Sequence, residues 1–271
     1  MAYFQDFESE EEDPNPFSTM SDMDDDSLQR LKLHKPLGYR FLSRLTGLTE
    51  LALRESFTTT LVSSEKSTYN DIDTYFNNGQ CHTFRLRMTK LFRIRRFEDV
   101  NCFGDESQNR KLLWHGTKSE NITSILTRGF TRPTPNGQMF GNGLYFADRT
   151  SKSAQYCLPS LMGSSSSSPA KGQRGHLFLC AVSLGKSYPS KTALNDYVAA
   201  PTNYDSILGA GKLIPNASES RRYHDAEIPC GKTISRPTSD SIQNPPLKFN
   251  EYIVYDVDKI TIKFLVEFQV V

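Results

Sequence analysis

The stretch "ITIKFLVEFQV", Ile260 to Val270, constrains the fold more than any other part of the chain. In it Ile260, Ile262, Phe264, Val266, Phe268 and Val270 alternate with Thr261, Lys263, Glu267 and Gln269. Successive side chains of an extended strand point to opposite faces, so a period of two over eleven residues predicts a strand that ties the C-terminus into a sheet. "HLFLCAVSL", His176 to Leu184, is apolar at both parities and predicts a central strand covered on both sides. In "HTFRLRMTKLFRIRRF" Phe84, Leu86, Met88, Phe92 and Ile94 alternate with Arg85, Arg87, Arg93 and Arg95, which predicts a half-buried strand with a basic, solvated face. Helical signals are few. "SENITSILTRGF" offers Ser119 as a cap, Ile122, Ile125 and Leu126 on one face, and Gly129 as a stop; a second short helix is expected from about Ser151 through Tyr156. Strands that dominate without regular strand–helix alternation predict an α+β fold.

Charge and composition divide the chain into three. Residues 1–30 are acidic, interrupted by Pro14 and Pro16 and poor in aliphatic residues, and are expected to form a disordered tail. Residues 31–66 carry leucines at spacings of three and four, broken near Gly47, and predict a short helical segment that could serve as a reduced regulatory region. Residues 67–271 form the main body, with "GSSSSSPAKGQRG" as a low-complexity surface excursion. The formal net charge is +1, so average charge argues for neither a nucleic-acid nor a membrane partner. No apolar run approaches the roughly 18 to 20 residues of a membrane span, and "MAYFQDFESEEED" lacks the features of a secretory signal, which predicts an intracellular protein. Five widely spaced cysteines with no C-x-x-C pair predict reduced thiols and no metal site, with Cys157 and Cys180 as small core residues.

Familiar nucleotide motifs fail on inspection. "GNGLYF" has Phe146 where a dinucleotide fingerprint needs its third glycine, and "SILGAGKL" and "AEIPCGKT" lack the first glycine of a phosphate-binding loop. Three other features stand out. "LLWHGT" sets His115 at the mouth of an apolar strand, beside Gly116, where the backbone is open to close approach. "MFGNGLYFADRTSKSAQY" places Tyr145 in a short apolar run and then Ser153 and Tyr156 three residues apart. "FNEYIVYD" puts Glu251 in an otherwise apolar strand, on the face of Ile253 and Tyr255, where a carboxylate needs a partner or a task. A satisfied histidine, core aromatics and a paired acid would explain each one alone. Together they are harder to dismiss.

"LLWHGT", "MFGNGLYFADRTSKSAQYC" and "NEYIVYDVDKITIKFL", in that order, resemble the catalytic domain of the poly(ADP-ribose) polymerases, especially the DNA-damage-responsive members. The resemblance implies an ADP-ribosyltransferase fold: two packed antiparallel sheets with short flanking helices and a cleft that takes NAD as a substrate, with no metal. It assigns catalytic roles to Glu251, His115 and Tyr145. It implies that His115 bonds the adenine-side ribose, that Gly116 and Ser153 hold the nicotinamide amide, and that Tyr145 and Tyr156 enclose its ring. Lys152 resembles the lysine beside the catalytic glutamate, and Thr117 and Asn121 match positions near the adenosine. The expected reaction cleaves NAD to nicotinamide and transfers ADP-ribose to protein acceptors, the enzyme itself among them, and to growing chains. Single-unit transfer is the alternative, and a non-catalytic NAD or ADP-ribose binding module is a weaker one, since His115 and Glu251 are both present. A nuclear address and a role in DNA repair are implied by the family alone. Gln138 stands where close relatives carry a tyrosine that packs on substrate, the loop from Gly129 to Gln138 is shorter than theirs, and no DNA-sensing module is expected in this chain.

Overall fold

The structure, a computed structural model, describes residues 37–98, 109–132, 138–161, 170–190, 192–193 and 197–271. The acidic segment 1–30, Cys102 and the serine run Ser164–Ser168 lie outside the described residues. The chain divides into units 1–35 and 36–271, and the described residues belong to the second. In chain order its elements are α1 (Leu37–Thr46), α2 (Glu50–Arg54), β1 (Phe57–Leu61), α3 (Ser67–Asn78), β2 (Leu86–Arg96), β3 (Arg110–Gly116), α4 (Ser119–Arg128), β4 (Leu144–Phe146), α5 (Thr150–Ala154), β5 (Arg174–Ser183), β6 (Ser187–Ser190), β7 (Ser206–Gly209), β8 (Gly211–Pro215), β9 (Arg221–Tyr223), β10 (Ala226–Ile228), β11 (Thr233–Ser235), β12 (Leu247–Phe249), β13 (Glu251–Val254) and β14 (Ile260–Val270).

The strands build a seven-stranded sheet in the order β1-β2-β14-β5-β3-β10-β9, a four-stranded sheet β4-β13-β7-β6, and a three-stranded sheet β11-β8-β12. β14 lies between β2 and β5, antiparallel to both, and does not keep the single apolar face expected: an extra residue at Lys263 puts Ile260 and Ile262 on one core and Phe264, Val266, Phe268 and Val270 on the other. One face carries Leu86, Met88, Trp114, Leu177, Phe264 and Phe268, against which Tyr75 and Phe76 of α3 pack. The other carries Phe92, Leu113, Phe178 and Leu265 and packs on Leu144, Phe146, Tyr252 and Val254 of the four-stranded sheet and on Tyr39, Leu42 and Leu53 of α1 and α2. The two main sheets therefore share one apolar layer, the α+β sandwich expected, and each of the three sheets contains one parallel pair, β10 with β3, β6 with β7 and β12 with β8.

Three local expectations are corrected. β2 does not keep one apolar face: Lys90 opposes Glu267 while Met88 opposes Phe268, leaving Thr89 as an extra residue. That bulge swaps parity, so Leu86 and Met88 face one core and Phe92 and Ile94 the other. β1 falls inside the segment 31–66 expected to be helical, and the main body opens on an unexpected helix, α3, where "STYNDIDTYFNN" is rich in poor helix formers and turns helical by burying Ile72, Tyr75 and Phe76. Ser119 opens α4 from within the first turn, with Lys118 at the cap, while Gly129 ends it at φ 81° as anticipated.

Candidate active site

His115 and Gly116 are the last two residues of β3. Just before them Trp114 exchanges two backbone hydrogen bonds of 2.9 Å with Ala147, which fastens the end of β3 to the chain leaving β4. The His115 ring meets Phe130 edge-on at 4.9 Å and Phe146 at 5.4 Å, and its Nδ1 lies 2.9 Å from the Tyr145 carbonyl oxygen. A carbonyl can only accept, so Nδ1 carries the proton and Nε2 is left as an acceptor. Burial pushes the imidazole down to about 4, against the pull of the Tyr145 carbonyl, so it is neutral at physiological pH. A neutral ring with a free Nε2 suits a neutral hydroxyl donor. Gly116 is required by close approach: a Cβ there would sit 1.8 Å from the backbone oxygen of Ser153.

Ser153 belongs to α5, whose start is held by Ser151, its N–H donating to the Gly79 carbonyl at 3.1 Å and its hydroxyl to the same oxygen. The Ser153 hydroxyl donates to the Trp114 carbonyl at 3.0 Å, which presses α5 against β3. The helix stops at Ala154, two residues short of the expected end, and Tyr156 follows in the turn as a 51% exposed residue. Tyr145, on β4, lies near it. The Tyr145 hydroxyl accepts from the Phe140 N–H at 2.8 Å and donates to the Gly141 carbonyl at 3.0 Å; burial raises its pKa to about 12, helped by the nearby Glu251 and Tyr156.

Glu251 opens β13, and its Oε1 lies 2.5 Å from the Lys152 Nζ, with both side chains largely withdrawn from water. Its neighbours Asn250 and Tyr252 point the opposite way, into a buried polar network. There Asp148 Oδ2 accepts from Asn250 at 2.8 Å and from the Tyr252 hydroxyl at 2.9 Å, while Oδ1 faces the Arg149 guanidinium. Arg149 is fully buried and spreads its other N–H groups over Thr233 Oγ1 and the carbonyls of Asn78, Pro229 and Gly231. Every charge in this layer has a partner.

The model of the poly(ADP-ribose) polymerase catalytic domain matches residues 66–270. The chain belongs to that family. It is 32% identical over 244 residues to Poly(ADP-ribose) polymerase 2 of Arabidopsis thaliana, covering 86% of this chain and 34% of that relative. It is 34% identical over 205 residues to Poly(ADP-ribose) polymerase 1 of Gallus gallus, covering 72% of this chain and 19% of that relative. To Poly(ADP-ribose) polymerase 2-B of Oryza sativa it is 35% identical over 221 residues, 77% of this chain and 34% of the relative. The chain thus spans between 19% and 34% of the length of these relatives.

For this polymerase-family chain the structure brings His115, Gly116, Tyr145, Lys152, Ser153, Tyr156 and Glu251 to the meeting point of β3, β4, α5 and β13. Thr117 and Asn121 lie at the edge, where Asn121 donates to the Thr117 hydroxyl at 2.8 Å. Gln138 accepts from the Gly141 N–H through its carbonyl, and its side-chain oxygen is buried with no hydrogen-bond partner among the described residues. Residues 133–137 of the shortened loop lie outside the described residues. Two further residues were not singled out by the sequence. His82 reaches the site through Ser151 Oγ at 2.8 Å, its pKa lowered by burial and by Lys248 and Lys152. Asp148 had the same visible signal as Glu251, an acid inside an apolar run, "LYFAD". Among the described residues no cluster of His, Cys, Asp or Glu could hold a metal ion, and no helix is long and apolar enough to cross a membrane.

Proposed function

We propose that this chain is an NAD-dependent poly-ADP-ribosyltransferase, which cleaves NAD to nicotinamide and transfers ADP-ribose to protein acceptors, itself included, and to growing ADP-ribose chains. The observation that carries the reading is the convergence of the Lys152–Glu251 pair with Tyr145, Tyr156, Gly116 and a neutral His115 whose Nε2 is free to accept. Residues 67–271 carry the chemistry, residues 31–66 a helical addition and residues 1–30 an acidic tail available as an acceptor.

His115 Nε2 accepts a hydroxyl proton of the adenine-side ribose, with Thr117 and Asn121 beside the adenosine. Gly116 offers its backbone N–H and C=O to the carboxamide, and Ser153 adds its oxygen. Tyr145 and the exposed Tyr156 take the flat nicotinamide between them. Nicotinamide is cationic in NAD and leaves neutral, so its departure needs no general acid. As the bond to the ribose lengthens, positive charge grows on the sugar, and the Glu251 carboxylate, bonded to the ribose 2′-OH, stabilises that charge more in the transition state than in the bound substrate. Lys152 pairs with Glu251 and orients it. The same carboxylate takes up the proton of an acceptor hydroxyl during elongation.

The test is sizing of products after mixing the purified chain with labelled NAD. Wild type gives polymer. Glu251→Gln loses a charge-assisted hydrogen bond of roughly 1.5 to 3 kcal/mol and slows transfer by about one to two decades, without unfolding. Full-length polymer from that variant refutes the role of Glu251, and single units from wild type refute the polymerase assignment. Turnover by this chain needs no added nicked DNA; strict DNA dependence would overturn that statement. On the family resemblance the protein works in the nucleus and in DNA repair, which imaging of the tagged chain checks.

A further inference from the structure

The first residue of β13 is weakly held by its own strand. Glu251 pairs only with Gly209 of β7, whereas Tyr252 and Ile253 are hydrogen-bonded into strands on both sides. Lys152 holds the Glu251 carboxylate from α5, and what fixes the Glu251 backbone against the cleft must come from its neighbours. Asn250 and Tyr252, on either side of it, both donate to one oxygen of Asp148, and the Asn250 amide also bonds the Tyr252 hydroxyl at 3.2 Å. Asp148 in turn sits two residues before α5, the helix that carries Lys152 and Ser153.

We propose that Asp148 is a positioning residue for Glu251: its carboxylate clamps the two side chains that flank the glutamate and so sets the distance between β13 and α5. The proposal rests on the reading of Glu251 given above. α5 is pinned independently, by Ser151 to Gly79, by Ser153 to Trp114 and by Arg149 to the carbonyls beyond. Loosening the clamp therefore lets the Glu251 backbone shift, with its carboxylate still paired to Lys152, and leaves the groups assigned to the nicotinamide and adenosine in place. That difference gives the clamp a kinetic signature: kcat falls while the KM for NAD does not move.

Two variants separate clamp from scaffold. Tyr252→Phe removes one arm and keeps the Asp148–Arg149 pair. Asp148→Asn keeps an acceptor oxygen for both arms but leaves the buried Arg149 without its carboxylate. The expected results cross. Tyr252→Phe lowers kcat about tenfold, with KM within about twofold and a small change in Tm, since displacing a catalytic group by a fraction of an ångström costs rate before it costs binding. Asp148→Asn lowers Tm clearly and kcat by less than Tyr252→Phe does. Wild-type kcat in Tyr252→Phe, or kcat and Tm falling together in both variants, overturns the proposal. Glu251→Gln run alongside distinguishes the failures. If it retains activity, the reading of the site has failed and the clamp has nothing to position; if it is inactive while Tyr252→Phe is unimpaired, the clamp alone is wrong.

Discussion

Gly116→Ala tests how tightly the site is built. The added Cβ would lie 1.8 Å from the Ser153 carbonyl oxygen and 2.6 Å from its carbon, both backbone atoms. No rotamer change relieves a clash with backbone, so reaching ordinary contact requires the end of β3 and the end of α5 to part by about 1.6 Å. Two things oppose that movement: the Ser153 hydroxyl on the Trp114 carbonyl and the two hydrogen bonds of Ser151 to Gly79. At about 1 kcal/mol net per hydrogen bond lost or strained, and with overpacking alone costing about 1 to 3, the variant should lose about 2 to 4 kcal/mol of stability. In a body of this size that lowers Tm by roughly 5 to 10 °C. Catalysis suffers more. Lys152 and Ser153 ride on the displaced helix, and a misplacement of about 1 Å is worth roughly a hundredfold in rate.

The assay pairs a thermal melt with nicotinamide release at saturating NAD. Gly47→Ala is the control: a Cβ there meets nothing within 4 Å, and the only cost is its φ of 72°, about 1 kcal/mol, far from the site. If Gly116→Ala melts with wild type and turns over at the wild-type rate, the close approach of β3 and α5 is not what the site depends on, and the reasoning fails.

Stability should fall on mild acidification for an identifiable reason. Burial holds His115 and His176 at about 4, so both stay neutral in the folded chain while their unfolded counterparts protonate near 6.5. The unfolded state then binds more protons, so their contribution is complete above pH 6.5, declines by up to about 1.4 kcal/mol per pH unit per histidine, and levels off below 4. Urea midpoints measured from pH 7 to 5 check this; equal midpoints would refute it. Among the described cysteines, Cys81 is the one not buried, and burial raises the Cys157 thiol to about 12. A short exposure of the native protein to an alkylating reagent should therefore label Cys81 and spare Cys157, Cys180 and Cys230.

What could be read from the sequence was whatever local pattern enforces. The existence of β14 as a C-terminal strand, the two-sided burial of β5 and the strand ending at His115 all survive into the structure because each depends on residues a few positions apart, whereas the single apolar face of β14 does not, since pairing with β5 bulges it at Lys263. The parity swap in β2 was illegible, since the arginines continued the alternation through the bulge, and only pairing with β14 reveals the extra residue at Thr89. β1 was missed for a related reason: "FTTTL" commits to a strand by lying against β2. At the site, the cleft residues stood out as chemistry-bearing types in unusual surroundings. Their supports did not, because a hydrogen bond between Asp148 and Asn250 spans 102 residues and no spacing announces it.

The contrast between the two sides of β13 explains why the supports are polar. On the side of Glu251 the apolar cluster is small: Phe140, Ile207, Ile253 and Tyr255 are its buried members. A cluster of that size gives little resistance to sliding, because apolar contact is non-directional. Direction comes from hydroxyl groups instead. Tyr255 donates to the Phe140 carbonyl at 2.6 Å while the Phe140 N–H donates to Tyr145, so one backbone unit ties the end of β13 to an aromatic assigned to the nicotinamide. On the opposite side Asp148 does the same for the start of the strand. Glu251 is thus held between two hydrogen-bonded anchors, and a carboxylate that must meet one hydroxyl in one direction gains more from such anchors than from additional apolar area.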